Sequence, residues 1–365
     1  MTSRFVQASA LFLALLAGCT PERPRADLVF IQSAEPETID PAIVSDQVSM
    51  RISSSLFEGL CRVNVGGKPE PGMAERWEVS EDLKTYTFHL RPGTTWTTGR
   101  AVTAQDFVWS WKRAMDPATG GDYASLFHII RGAKAYVEAG AKDFSQVGVR
   151  AIDDRTLEVQ LENPTPYFID LTSFQTFAPV HRETIEEHGT GWIKPSHLVG
   201  NGAYLLEDWR LDDQIRLRKN PRYWDAANVG MATVEVKPIQ DANTALNYFY
   251  TGQADLMMDK GMVPPTLTEK LKYEPWFHTG PFLGTWFIRI NVKRPPFTDP
   301  RVRQAFALAV DKRRIVEKIT QLGEPVAYGI TPPGAGQNYQ PPPGLDYNVE
   351  RARALLAEAG FPGGK

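Results

Sequence analysis

Histidines are the first residues to consider for metal binding or acid–base chemistry, and this 365-residue chain has six of them. They are His89, His128, His181, His188, His197 and His278. No two stand at the i,i+4 spacing that places two metal ligands on one helix turn, and the chain contains no H-E-x-x-H, G-x-S-x-G or Walker A motif. His181 and His188 could share a helix face, where exposed histidines are the simpler interpretation. We therefore expect no catalytic residue, no metal site and no cofactor, which disfavours an extracytoplasmic hydrolase.

Cys19 indicates a different kind of chemistry. It follows Arg4 and an apolar run at residues 8–17, which is shorter than the roughly 20 residues of a membrane-spanning helix and is typical of a signal peptide. The residues Leu16-Ala17-Gly18-Cys19 resemble a bacterial lipobox. That resemblance implies a signal peptide at 1–18, acylation of Cys19, a lipidated tether at 19–26 and a place in the periplasm or at the cell surface. An ordinary signal peptide cut nearby is the alternative.

Composition excludes several other classes of protein. The chain is 42% hydrophobic and 23% charged, which argues against disorder. Its net charge is −3, and loss of Arg4 with the signal peptide would make it −4, so no nucleic-acid surface is expected. If Cys19 carries lipid, Cys61 has no partner for an intramolecular disulfide.

Strands and helices must position whatever site the chain carries. Hydrophobic alternation and turn residues predict strands at 28–32, 85–91, 156–161, 202–206, 214–218, 233–238, 254–258 and 286–291. Apolar periodicity and capping residues predict helices at 48–57, from Thr103 to Met115, at 243–251, from Asp299-Pro300 with Val302, Phe306, Ala309 and Val310 inside, and from Asn348 to Ala359. Because the elements do not alternate strictly, we predict an α/β fold with mixed sheets in more than one lobe.

Five segments in order resemble family 5 of the bacterial solute-binding proteins, the oligopeptide-binding lipoproteins of ABC importers. They are L-F-E-G-L at 56–60, residues 73–111, V-G-N-G-A-Y to N-P-R-Y-W-D at 199–225, P-F-T-D-P-R-V-R to A-V-D at 296–311, and A-R-A-L-L-A-E-A-G-F-P at 352–362. The resemblance runs from about residue 28 to the end of the chain.

The family resemblance implies a periplasmic-binding-protein type II clam-shell with three domains. Domain I would comprise residues 26–46 and 174–276, domain II residues 47–173, and domain III would begin at 277 and be incomplete at 365. Family members normally continue well beyond the last matching helix. We therefore expect a C-terminal truncation, and with it weak or no ligand retention.

The implied function is that of an extracytoplasmic substrate-binding subunit of an ABC importer. It would hold short peptides through main-chain hydrogen bonds in a cleft between lobes, close on them, and deliver them as a monomer to the permease and ATPase complex. Other family 5 solutes remain open: a nickel chelate, a haem, a cell-wall peptide or an oligosaccharide. A peptide-sensing lipoprotein without a transport role is a further alternative.

The resemblance also implies which residues face the ligand. They are Ser45, Asp46, Gln47, Tyr123, Met258, Asp259, Lys260, Phe282 and Trp286. One branch of the family has a carboxylate at the position of Ser45, so this chain is not expected to prefer basic peptides. An ordinary polar turn at 45–47 and core packing of the aromatic residues are the alternatives. Most of the other tryptophans are interpreted as packing anchors, namely Trp77, Trp96, Trp109, Trp111, Trp209 and Trp224.

Overall fold

The computed structural model of the protein describes residues 23–280, 282–335 and 339–364, so the predicted signal peptide and Cys19 lie outside the described residues. The chain forms two compact units, residues 1–262 and 263–365. The first unit holds the predicted domain II and most of the predicted domain I. The division falls before the predicted start of domain III at 277. Among the described residues, no helix has the length and apolar character that crossing a bilayer requires.

The described residues form three sheets of short strands. In chain order these are β1 (Leu28–Gln32), β2 (Cys61–Val63), β3 (Pro69–Pro71), β4 (Ala74–Val79), β5 (Thr85–Leu90), β6 (Val149–Asp153), β7 (Thr156–Gln160), β8 (Tyr204–Arg210), β9 (Gln214–Lys219), β10 (Thr233–Pro238) and β11 (Leu256–Met257). The alternating patterns at 85–91 and 156–161 correctly predicted β5 and β7 to within one residue.

The largest sheet is mixed, with the order β11-β1-β10-β9-β8. Strand β1 pairs in parallel with β10 and β11, and β8, β9 and β10 pair antiparallel. Alternate residues of the three antiparallel strands face a buried core that contains Ile215, Leu217, Val234 and Val236. A second, antiparallel sheet has the order β4-β5-β7-β6, and β2 pairs with β3.

Ten α-helices lie within the described residues. They are α1 (Gln47–Leu56), α2 (Ala104–Met115), α3 (Ala133–Glu138), α4 (Phe168–Leu171), α5 (Arg182–His188), α6 (Ala242–Tyr250), α7 (Thr268–Leu271), α8 (Pro300–Ala309), α9 (Lys312–Ile315) and α10 (Val349–Glu358). Helix α2 begins with the predicted capping box, in which Thr103 and Asp106 bond each other's backbone N–H groups. Its Trp111 lies in the core with Phe107 and donates from Nε1 to the carbonyl of Phe177 at 2.9 Å.

Helices α8 and α10 pack together in the second unit through Ala305, Leu308, Ala352 and Leu355. The predicted caps at Asp299 and Asn348 are confirmed, since each accepts a backbone N–H of its helix. The predicted apolar face of α8 is confirmed at Val302 but wrong at Phe306, which is 49% exposed, and at Ala309, which is also exposed. The fourth predicted residue, Val310, is the C-cap. Small alanines at the contact let the two helices approach closely, and the bulky ring turns outward.

The predicted strand at 286–291 is also wrong, because these residues form no regular element. A strand needs a backbone partner, and no described segment pairs with this one. Alternating apolar residues alone do not supply that partner.

Candidate functional site

The loop before helix α1 carries three of the predicted ligand-facing residues. Asp46 is the N-cap of the helix, and its Oδ1 accepts the backbone N–H of Ser49 at 2.8 Å. Ser45 and Gln47 on either side are exposed. The carboxylate of Asp46 therefore shapes the loop, while its two neighbours have side chains turned to solvent.

Tyr123 lies against the same loop. Its hydroxyl donates to the carbonyl of Ser45 at 3.3 Å, and its ring meets Phe174 edge-on at 5.0 Å. Gly121 allows this approach, since a Cβ there would lie 2.2 Å from the carbonyl oxygen of Ala42. Two predicted positions that are far apart in sequence thus come together.

A buried ion pair links the loop at 40–45 to helix α2. Asp40 accepts from Arg113 of α2, with Nη1 to Oδ1 at 3.0 Å, and Oδ1 also accepts the N–H of Ala42. The Asp40 side chain is only 3% exposed. Breaking such a pair by removing one partner costs about 3–5 kcal/mol, so this contact ties helix α2 firmly to the loop at 40–45.

Asp259 follows β11 and is fully engaged with its neighbours. Its Oδ2 accepts the backbone N–H of Ser33 at 2.7 Å and the Ser33 hydroxyl at 2.8 Å, while Oδ1 accepts from Arg51 at 2.8 Å. Arg51 also donates to Gln32 at 3.2 Å. Burial acts to raise the pKa of Asp259, but the bonds from Arg51 and Ser33 outweigh it and hold that pKa below its usual value.

The two residues beside Asp259 differ from it in their surroundings. Met258 donates its backbone N–H to the carbonyl of Ile31 at 3.0 Å and leaves its side chain exposed. Lys260 is also exposed and begins a short 3-10 turn, Lys260–Met262. The structure places all three at the carboxyl ends of the parallel strands β1 and β11, the edge at which open α/β sheets usually bind ligands.

Phe282 and Trp286 belong to the second compact unit. Their side chains are 73% and 90% exposed, so neither residue is packed in a core.

Glu58 is a buried polar residue to which sequence reasoning gave no role. Its carboxylate accepts from Tyr223 Oη at 2.5 Å and from Trp224 Nε1 at 2.6 Å. The side chain of Asn201 accepts the backbone N–H of Glu58 at 3.1 Å and donates to the backbone carbonyl of Glu58 at 2.9 Å. Burial raises the pKa of Glu58 above its ordinary value. A carboxylate set within the apolar run Leu56-Phe57-Glu58-Gly59-Leu60 was the available signal.

The histidines do not form a metal site in the described part of the chain. His181, interpreted from the sequence as an exposed helix residue, is instead a buried N-cap of α5. Within residues 23–280, 282–335 and 339–364, no group of three His, Cys, Asp or Glu side chains could hold a metal ion. The first unit instead presents two loops with exposed polar side chains, at 45–47 and at 258–260.

The mixed sheet, in which β1 runs parallel to its neighbours while β8, β9 and β10 run antiparallel, fits the class of periplasmic-binding-protein type II folds. Residues 68–365 match the model of the bacterial extracellular solute-binding proteins, family 5 Middle, and the chain belongs to this family.

Known relatives agree with that assignment. The periplasmic oligopeptide-binding protein OppA of Escherichia coli strain K12 is 38% identical over 384 residues, covering 100% of this chain and 70% of the relative. The crystal structure of a periplasmic oligopeptide-binding protein of an oligopeptide ABC transporter from Borrelia burgdorferi matches with a TM-score of 0.88 and 30% identity, covering 93% of this chain and 68% of that one. The murein tripeptide-binding protein MppA of Escherichia coli matches with a TM-score of 0.86 and 33% identity, covering 93% and 67%. The chain thus spans about two thirds of the length of these relatives.

Proposed function

We propose that this protein is the extracytoplasmic substrate-binding subunit of an ABC importer, capturing short peptides and passing them to the permease and ATPase complex. Membership of family 5, with relatives named for oligopeptides and a murein tripeptide, is the observation that carries the proposal. We further propose that the protein acts as a monomer in the periplasm or at the cell surface, anchored through lipid on Cys19.

Backbone recognition suits the loop around Ser45. Exposed Ser45 and Gln47 flank a capped helix start, and Tyr123 presents a hydroxyl beside them. An extended peptide can bond to such backbone and hydroxyl groups whatever its own side chains are, which gives affinity without strict selectivity. In this proposal Asp46 and Asp259 support the site through their internal bonds, while Met258, Lys260, Phe282 and Trp286 contact the ligand.

Photo-crosslinking tests the proposal even for a weak ligand. A tripeptide that carries a benzophenone group should label the first unit near Tyr123, and an excess of unlabelled mixed tripeptides should reduce the labelling. Tyr123→Phe keeps the ring against Phe174 but removes the hydroxyl, so its labelling should fall. Tyr167→Phe is the matched control, because Tyr167 is an exposed tyrosine elsewhere in the same unit.

The alternative ligands predict different results when they compete with the benzophenone peptide for binding. A nickel chelate, a haem or an oligosaccharide that displaces the probe, where mixed peptides do not, would refute peptide capture. Displacement by murein tripeptide alone would favour a cell-wall peptide receptor, the alternative to which the likeness with MppA points. Peptide binding without import in cells that carry the permease would favour a sensing role.

A further inference from the structure

The segment from Arg23 to Asp27 is bound to the body of the first unit. Arg23 pairs with Asp208 at 3.3 Å, and Arg25 pairs with Asp255 at 2.7 Å. The carboxylate of Asp27 accepts the backbone N–H groups of residues 232 and 233 at 2.9 and 2.8 Å. The sequence assigned residues up to 26 to a tether, but contacts with the sheet already begin at Arg23.

Arg216 is the centre of this attachment. Its Nη2 donates to the carbonyl of Pro24 at 2.9 Å, while Nε and Nη1 reach Glu207 and Glu235 at 3.2 and 3.0 Å. The residue is only 6% exposed. Nearby, Ala26 is buried in a small apolar cluster beside β1. Because the guanidinium bonds two carboxylates as well as the carbonyl of Pro24, the early segment is held in one position.

The surface beneath this segment is the polar face of strands β8, β9 and β10. Alternation puts Gln214, Arg216 and Arg218 on this face of β9, and Ile215 and Leu217 on the buried face. Its charges pair with one another, as in Arg210 with Asp213 at 2.9 Å and Lys237 with Glu235 at 3.0 Å. The face is thus polar and nearly balanced in charge.

Only residues 20–22 separate Cys19 from Arg23. A fully extended chain over that separation spans at most about 14 Å. A compact body of the size of the first unit has a radius of gyration of about 18 Å. A lipid on Cys19 therefore cannot reach around the unit to its far side.

We propose that the segment at 23–27 sets the orientation of the anchored protein, with the polar face of β8, β9 and β10 turned toward the lipid surface. The inference rests on the lipidation of Cys19 in the proposed function. Since the charges of the face pair with one another, the orientation comes from the short attachment and not from anionic lipid. It should form on phosphatidylcholine vesicles and persist in high salt.

Site-specific fluorescence quenching tests this orientation. The lipidated protein is bound to phosphatidylcholine vesicles that carry a quencher on their headgroups. A fluorophore is placed at Arg218→Cys on the polar face, or at Glu81→Cys in the exposed β4–β5 turn of the other sheet. Cys61 is buried, and burial raises its pKa, so it stays unlabelled. We expect severalfold stronger quenching at position 218 than at position 81.

Two variants show whether the attachment is the cause. A 16-residue Gly-Ser insertion after Pro21 leaves the body unchanged and should equalise quenching at the two positions. Arg216→Met should also equalise quenching at the two positions. Arg150→Met, which breaks a pair with Glu158 elsewhere in the unit, should leave quenching stronger at position 218. Equal quenching in the uninserted protein, or a preference that survives the insertion, would overturn the proposed orientation.

The lipid anchor and the orientation can fail separately. The intact mass of the mature protein shows whether acyl chains are present. A protein without them that does not sediment with vesicles would overturn both the anchor and the orientation. An acylated protein with equal quenching would overturn the orientation alone.

Discussion

Arg51 and Asp259 meet at 2.8 Å, joining helix α1 to the end of strand β11. Their side chains are 19% and 11% exposed, so the pair is largely removed from solvent. Because Asp259 also holds Ser33, the pair fixes the carboxyl end of β1, where the predicted ligand-facing residues lie.

Arg51→Met should destabilise the protein by about 3 kcal/mol, because it leaves a buried carboxylate without its ionic partner. Urea denaturation measures the change. The matched control is Arg76→Met, which breaks an exposed pair with Glu78 and should cost less than about 1 kcal/mol. Equal losses in the free energy of unfolding would contradict a larger stabilising contribution from the pair of Arg51 with Asp259.

The same pair should give a signature in acid. The pKa of Asp259 lies below its usual value, so its stabilising contribution is present above the unfolded-state pKa of about 3.9 and is lost as the pH falls through the folded-state pKa. The stability difference between the wild type and Arg51→Met should therefore shrink below about pH 4. A constant difference down to pH 2 would contradict this.

Glu58 should show the opposite dependence. Burial raises its pKa, so its contribution is fully present below the unfolded-state pKa of about 4.3 and is lost as the pH rises through the folded-state pKa. Glu58→Gln replaces the titrating carboxyl group with an amide that stays neutral. Its amide can still bond Tyr223 and Trp224 if the Tyr223 hydroxyl turns to accept. We expect the Glu58→Gln variant to gain stability relative to the wild type as the pH rises above about 4, as measured by denaturation at each pH.

Glu58→Ala is the companion variant. It leaves the Tyr223 and Trp224 donors without an acceptor and should cost at least about 2 kcal/mol at every pH. A wild-type protein with the same pH dependence as both variants would refute the assignment to Glu58.

Gly121→Ala should disturb the contact between Tyr123 and Ser45. The added Cβ would overlap the carbonyl of Ala42, which is backbone and cannot swing aside, at a cost of about 1–3 kcal/mol. Gly230→Ala, where a Cβ meets nothing within 4 Å, should change stability by less than about 0.5 kcal/mol. Thermal unfolding of both variants measures the difference.

Cys61 should resist thiol reagents in the folded protein. Its side chain is buried, and burial raises its pKa to about 11, so little thiolate exists at pH 8. A Cys19→Ser variant should therefore titrate no thiol natively and one after denaturation. Rapid native reaction would show that the region around Cys61 opens.

The sequence predicted helix caps and strand bounds well, because the residues that determine them lie close together in the chain. The caps at Asp299 and Asn348 and the box from Thr103 to Asp106 depend only on side chains bonding the nearby backbone. Strand β1 and strand β10 were predicted with their observed bounds for a similar reason, since apolar runs ended at clear turns.

Sequence reasoning was weaker where distant segments meet. The partners of Asp259 are Ser33 and Arg51, and those of Glu58 are Tyr223 and Trp224, so no local pattern reveals them. The stretch at 286–291 has the alternation of a strand but no described neighbour to pair with. The family resemblance pointed to positions 45–47, 123 and 258–260, but it could not distinguish exposed groups from carboxylates that hold the loops in place.

The place of β1 within its sheet has a consequence for the order of folding. Paired residues of the antiparallel sheet β4-β5-β7-β6 lie at most 75 positions apart, as in Thr85 with Gln160. Those of β1 and β10 lie 206 positions apart, as in Leu28 with Val234. Contacts between distant segments form slowly, because the entropy of closing a long loop is lost before those contacts can stabilise the chain. A chain that emerges from its amino terminus would thus keep β1 unpaired until β10 and β11 appear, so within the first unit the edge with the predicted ligand contacts consolidates after the antiparallel sheet.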